Sequence, residues 1–181
     1  MSSLSDATGT WDIDPAHTML GFSARHAMVA KVRGKFNEFS GSFTIDGANP
    51  ANSKADLTIQ AASIDSGVVD RDGHLKSGDF LDVEQFPTLN FTSTSIQVSG
   101  DSIKVTGDLT IHGVTKPVTI DYEFTGISQD PWGNTKIGFE GHAKINRKEF
   151  GLVWNAALET GGVLVSEDIK LELDVEATKR A

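Results

Sequence analysis

At 181 residues, with 38% hydrophobic and 23% charged positions, the chain has the size and composition of one folded globular domain able to bury a sizeable core. Its formal charge of −9 argues against generic nucleic-acid binding and against electrostatic adhesion to anionic membranes, since both need basic surface. The absence of cysteine excludes disulfides and thiolate metal sites.

Residues 1–9 read as a flexible polar tail preceding a single domain over residues 10–181. The N-terminus has neither the basic nor the apolar region of a secretory signal, which leads to an expected cytoplasmic setting. No apolar run approaches the roughly 18 residues of a transmembrane helix.

Thr10–Asp14 predicts a short strand with Trp11 and Ile13 on one side. After Pro15, a second strand places Leu20, Phe22 and Ala24 on one face, with His26 inward at its end. One helical turn is expected over His26–Val32. Arg33–Asp46 reads as a long strand carrying Phe39, Gly41, Phe43 and Ile45 in phase. Phe36 falls out of that phase, which predicts a bulge near Asn37 and Glu38. Gly47–Pro50 is a turn, and Ala55, Leu57, Ile59 and Ala61 form the next one-faced strand.

Ser66–Pro87 breaks the period of two. Asp70 is positioned to cap a short helix ending at Gly78, and Asp79 to cap a further turn before Pro87. Leu75, Phe80, Leu81 and Phe86 give the insertion an apolar underside. Strands resume with Leu89 and Phe91. Next comes a hairpin, Ser102–Gly126, with Ile103, Val105, Gly107, Leu109 and Ile111 on one arm, a connection His112–Pro117, and Val118, Ile120, Tyr122 and Phe124 on the other. Ile137–Ile145 is another alternating strand. The loop Asn146–Thr160 holds Arg147, Phe150, Trp154 and Asn155, and a last strand carries Ile169, Leu171, Leu173 and Val175.

Eight or nine long, one-faced strands close either as a sandwich or as a barrel. Their length, and the small residues Ala24, Gly41, Ala55, Gly107 and Gly141 on the apolar faces, favour an all-β antiparallel barrel of about eight strands, one mouth covered by the helical insertion. A dry lumen lined by Phe, Leu, Ile and Val would take a long hydrocarbon chain, because each methylene withdrawn from water gains about 0.8 kcal/mol. A barrel filled by its own side chains, serving as an interaction module, is the alternative.

Four segments carry a family resemblance: Ile13–Thr18 running into Gly21–His26; Val32–Phe36; Arg71–Ser77 with Asp79–Asp82 and Phe86–Pro87; and Gly107–Val118. Together they resemble the YceI-like family of polyisoprenoid-binding proteins across nearly the whole chain. The resemblance implies a lipocalin-like barrel whose lumen takes an isoprenoid chain, such as a polyprenyl phosphate or an isoprenoid quinone. It also implies frequent dimers, a homodimer here, and no established catalysis. Many relatives carry a secretory leader, whereas this sequence is expected to carry none.

The expected ligand-binding residues are Phe22, His26, Phe43, Leu57, Ile59, Arg71, His74, Leu75, Phe80, Leu89, Phe91, Leu109, Ile120, Tyr122, Phe139 and Trp154, with no cofactor, no metal and no catalytic residue. The aromatic and aliphatic members serve equally as core. Arg71 and His74 share a helix face and either point into the mouth or pin the lid through Asp72 or Asp79. The basic run Arg25, Lys31, Arg33 and Lys35 is either a positive mouth for a head group or a solvated face. His17 is expected to fix its loop. His112 and His142 face outward, and no histidine pair has helical metal spacing. The alternative function is an enzyme acting on a lipid head group, with Asp70, Asp72, His74 and Arg71 doing acid–base work.

Overall fold

The alternating side chains make every strand one-sided, and the sheet that results closes on itself. The computed structural model describes residues 3–158 and 162–181, so residues 1–2 of the expected tail and residues 159–160 of the expected loop lie outside the described residues. The strands are β1 (Gly9–Ile13), β2 (Met19–His26), β3 (Ala30–Phe36), β4 (Phe39–Ile45), β5 (Lys54–Gln60), β6 (Ile64–Asp65), β7 (Thr88–Ser99), β8 (Ser102–Ile111), β9 (Val114–Gln129), β10 (Thr135–Asn146) and β11 (Asp168–Lys179), with one α-helix, α1 (Val69–Lys76), between β6 and β7.

These segments form an eight-stranded antiparallel barrel. β1 and β2 act as one barrel strand broken by the 3-10 turn Pro15–His17, because β11 pairs β2 over Lys170–Asp174 and β1 over Ala177–Lys179. β3 and β4 are likewise one strand, split at Asn37 and Glu38 where the phase change predicted a bend. β5 and β6 are separated by the 3-10 turn Ala61–Ser63, so Ala61 closes a turn instead of extending a strand. Antiparallel neighbours joined by short turns are closed into a ring by β11, which pairs with β10 on one side and with β1 and β2 on the other.

Several local expectations give way. His26–Val32 is the tip of the β2–β3 hairpin and not a helical turn: residues 27–29 make the turn, with Ala27 and Met28 at φ 51 and 66. The β8–β9 connection is only His112–Gly113, at φ 56 and 73, the pair of positive angles that a two-residue hairpin requires. Pro117 therefore lies inside β9, opposite Asp108. The β9–β10 ladder ends at Asp121–His142, so the proline's missing N–H faces no strand. The cap of α1 is Val68, with Asp70 inside the first turn. Ser77, not Asp79, organises the following turns, receiving the Asp79 N–H on its hydroxyl and the Phe80 N–H on its carbonyl.

The segment expected as a free tail is folded from Leu4 onward. Leu4–Ala7 is a 3-10 turn with both end residues buried. Its anchor is Trp11, 1% exposed, which stacks on Phe43 and donates its indole N–H to the Ala7 carbonyl at 2.9 Å. This end of the barrel is packed with Ile103, Val105, Phe124, Ile137 and Ala177. At the other end Ile64, Leu81, Leu89, Ile111, Phe150 and Leu152 form a second cluster beneath α1 and the loop after β10.

The small residues on the apolar faces serve cross-strand packing. A side chain at Gly107 would begin 2.5 Å from the Phe91 ring, and one at Gly141 would begin 2.4 Å from the Tyr122 ring. Aromatic rings thus occupy the space beside these glycines.

Candidate functional site

Between the two packed ends lies a cavity of about 860 Å³, within the few hundred to 1,000 Å³ common for small-molecule sites. Its walls follow from strand parity. β2, β4 and β5 contribute Phe22, Phe43, Leu57 and Ile59, β7 and β8 contribute Leu89, Phe91 and Leu109, and β9 and β10 contribute Ile120, Tyr122 and Phe139. Register places several in direct rows: Leu57 sits opposite Phe91, which sits opposite Leu109, and Leu171 of β11 sits opposite Phe22. Leu75 and Phe80 of the insertion cover one end, and His26, Arg71, His74 and Trp154 ring that opening. All the expected site residues thus border one cavity.

Tyr122 is the one phenol of the chain. Burial pushes its ionisation well above the ordinary value, so the hydroxyl stays neutral in an otherwise hydrocarbon wall.

The opening is built on an aromatic cluster. The His74 ring meets Trp154 edge-on at 4.6 Å and Phe80 at 5.1 Å, and Phe80 lies 5.4 Å from Trp154. The His74 Nε2 also pairs with Asp79 Oδ2 at 3.0 Å. Arg71 donates from Nε to the Ser66 hydroxyl and from Nη2 to the Ser66 carbonyl, while Asp72 accepts from the Ser66 N–H and hydroxyl. Arg71 and His74 border the cavity, and His74 pins the lid through Asp79 as expected, whereas Arg71 does so through Ser66 and not through Asp72 or Asp79.

Arg147 was missed by parity, because it sits in a loop. It is 3% exposed, and its guanidinium donates to the carbonyls of Leu152, Trp154, Val165 and Ser166 at 2.6 to 3.2 Å. Its Cζ stands 5.9 Å over the Phe80 ring, and burial lowers its pKa. The sequence signal was an arginine leading into the apolar stretch Phe150–Trp154, where a solvated charge is out of place.

The basic run divides. Arg25 reaches the cavity rim, whereas Lys31 and Arg33 are exposed on the outer face of the β2–β3 hairpin and Lys35 stands opposite Asp65 of β6. It does not form a cationic mouth as a unit.

His17 fixes its turn. Its Nδ1 lies 2.9 Å from Asp14 Oδ2 and 3.9 Å from Glu176 Oε1. Asp14, His17 and Glu176 have metal-ligating atoms in mutual reach, but the Lys136 ammonium already occupies Asp14 at 3.2 Å, which disfavours a cation there. His112 stands in the β8–β9 turn with its ring 4.8 Å from Phe86, and His142 is exposed on β10.

The hydrogen bond from Asp14 raises the His17 pKa, and the same contact lowers that of Asp14. The His17 contribution to stability is therefore complete below about pH 6.5, its unfolded value, and fades as pH rises through the higher folded value. The Asp14 contribution is present above its ordinary value and fades as pH falls through its lowered folded value. A proton NMR titration of His17 is expected to give an upshifted midpoint that returns toward the ordinary value in Asp14→Asn; an unchanged midpoint in that variant would remove Asp14 as the cause.

The chain matches the model of the YceI-like domain over residues 11–177. It is 41% identical over 169 residues to a protein of Pseudomonas aeruginosa strain LESB58 named UPF0312 protein, covering 93% of this chain and 85% of that one. Among solved structures it resembles Burkholderia cenocepacia BcnA, with TM-score 0.80, 25% identity and coverage of 92% of this chain and 99% of that one. It also shares the fold of a polyisoprenoid binding domain from Saccharophagus degradans, with TM-score 0.71, 15% identity and coverage of 94% and 98%.

Proposed function

Because this chain belongs to the YceI-like domain family, we propose that its barrel binds an isoprenoid lipid, a polyprenyl phosphate or an isoprenoid quinone, and carries or stores it through water. One observation carries the reading: a cavity of about 860 Å³ walled mainly by hydrocarbon and aromatic side chains, with charged groups at its two ends, Arg25, Asp70 and Arg71 at the lidded one and Asp46, Lys54 and Asp101 at the other. Such a space rewards an apolar chain at about 0.8 kcal/mol for each methylene removed from water. It offers a polar head no partner deep inside beyond the neutral Tyr122 phenol. The polyisoprenoid named for the Saccharophagus degradans domain of the same fold is the same chemical class.

A binder is favoured over an enzyme by what the lid residues already do. Arg71 and Asp72 are spent on Ser66, and His74 on Asp79 and two aromatic rings. General acid–base work needs such groups free to meet a reacting atom.

Solvent extraction or native mass spectrometry of protein purified from its own host is expected to find a long-chain isoprenoid. A protein that comes clean and also refuses added polyprenyl phosphate and quinone would end the proposal. No helix among the described residues is long and apolar enough to cross a membrane.

A further inference from the structure

Exposed large apolar side chains gather around the lidded opening. Met28 and Val29, 61% and 79% exposed, form the tip of the β2–β3 hairpin, and Val69, 85% exposed, begins α1. Val153 and Val163 stand out from the loop beside Trp154. Contacts hold the hairpin tip and this loop together: the Ala27 N–H donates to the Leu164 carbonyl at 2.8 Å, His26 bridges Val165, and the Met28 side chain lies over Gly162. Arg25, His26, Asp70, Arg71, Trp154, Leu164 and Val165 border the same end of the cavity, which places α1 on that rim as well.

The hairpin tip contradicts its own turn chemistry. Positive φ at both central positions favours Asn-Gly, yet the chain uses Ala27 and Met28, which strains the backbone and exposes a thioether. Local rules are broken in this way mostly where function demands it.

Behind the tip the outer face is cationic. Arg25 pairs across the hairpin with Lys31, and Arg33 lies in a row with Ser23 and Lys170. Among the described residues none of these four cations forms an ion pair. Of the nearby acids, Glu167 pairs with Lys148 at 2.9 Å and Asp72 accepts from Ser66, while Asp70 on the rim and Glu172 beside Lys170 are exposed, so four cations face two unengaged acids there. The net charge of −9 excludes adhesion by the protein as a whole, but charges farther away than about 8–10 Å are screened at physiological salt. A surface sees the local patch.

We propose that this rim docks the barrel on an anionic lipid bilayer, with Met28, Val29 and Val69 entering the interface and Arg25, Lys31, Arg33 and Lys170 facing the head groups. The inference rests on the isoprenoid-carrier reading. An apolar chain kept out of water must pass directly between bilayer and lumen, so the opening itself has to meet the membrane. Apolar contact supplemented by cations near anionic lipid is the usual physics of such binding.

The test is co-flotation of the full chain with vesicles of mixed phosphatidylcholine and phosphatidylglycerol, compared with pure phosphatidylcholine. Wild-type protein is expected to float with the anionic vesicles, and raised salt is expected to weaken it. Met28→Asn with Val29→Ser suits the turn better than the native residues, so folding is preserved, and is expected to reduce flotation at least tenfold. Arg33→Glu is expected to reduce it on anionic vesicles only. Absence of wild-type flotation, or equal flotation of the hairpin variant, overturns the proposal. So does a rim that instead pairs two copies, seen as a dimer in sedimentation that Met28→Asn/Val29→Ser dissociates. Uptake of polyprenyl phosphate in detergent, without vesicles, reads the carrier function separately, so the failure of either is distinguishable from the failure of the other.

Discussion

Arg147→Met is expected to unlock the whole loop at the opening of the barrel. One guanidinium gathers four backbone carbonyls, those of Leu152, Trp154, Val165 and Ser166, from both limbs of the loop after β10. Methionine fills similar volume against Phe80 but donates nothing. Hydrogen bonds from a charged donor contribute about 1.5–3 kcal/mol each, and a buried carbonyl left without a partner costs about 1–3 kcal/mol. The outer carbonyls can turn to water and the four contacts are not additive, so the expected loss is roughly 3–5 kcal/mol. Much of it falls locally. Hydrogen exchange over residues 152–158 and 162–166 should accelerate strongly while β7 and β8 stay protected. Trp154 then loses its fixed place against His74, and ligand retention falls with it. Protection in the loop equal to wild type would show that the apolar contacts of Phe150 and Leu152 alone hold it.

The barrel and its lining were readable because both depend on parity. Once Phe22, Leu57, Phe91, Leu109 and Tyr122 each sit in phase on their strands, closing the sheet brings them to one interior whatever the turns do. The resemblance to a known family pointed to the same closure. What the pattern could not show lies outside the period of two. Arg147 and its carbonyls belong to an irregular loop, where no repeat says which way a side chain faces. Ala27 and Met28 carry no turn signature, so a hairpin looked like a helical turn. Ser3–Ala7 is polar by sequence yet folded, because Trp11 supplies an apolar platform and a donor that the tail alone does not reveal. Small residues on the apolar faces favoured a barrel, and the sheet does close into one, but at Gly107 and Gly141 a neighbouring ring fills the space a side chain would take.

That distinction decides how the lumen should be blocked. Gly107→Phe looks suitable in sequence, yet even the first carbon of a side chain there would meet the Phe91 ring and the Thr92 carbonyl at 2.5 Å. The substitution should destabilise by about 1–3 kcal/mol or more through overpacking, whether or not a ligand exists. Ala24 differs. It borders the cavity from β2, opposite Val32, near the lidded end. Ala24→Trp is expected to project into space that the chain leaves unfilled. A tryptophan there excludes roughly three or four methylenes of ligand at about 0.8 kcal/mol each, which is about a 100-fold loss of affinity. Since the ring moves from water into an apolar room, stability should stay within about 1 kcal/mol and the melting temperature within a few degrees. Isoprenoid binding by native mass spectrometry, set beside thermal melts of both variants, separates the cases. If Ala24→Trp unfolds as readily as Gly107→Phe, side chains fill the barrel and no lipid has room. If it folds normally and still binds with wild-type affinity, the ligand does not occupy the lidded half of the cavity.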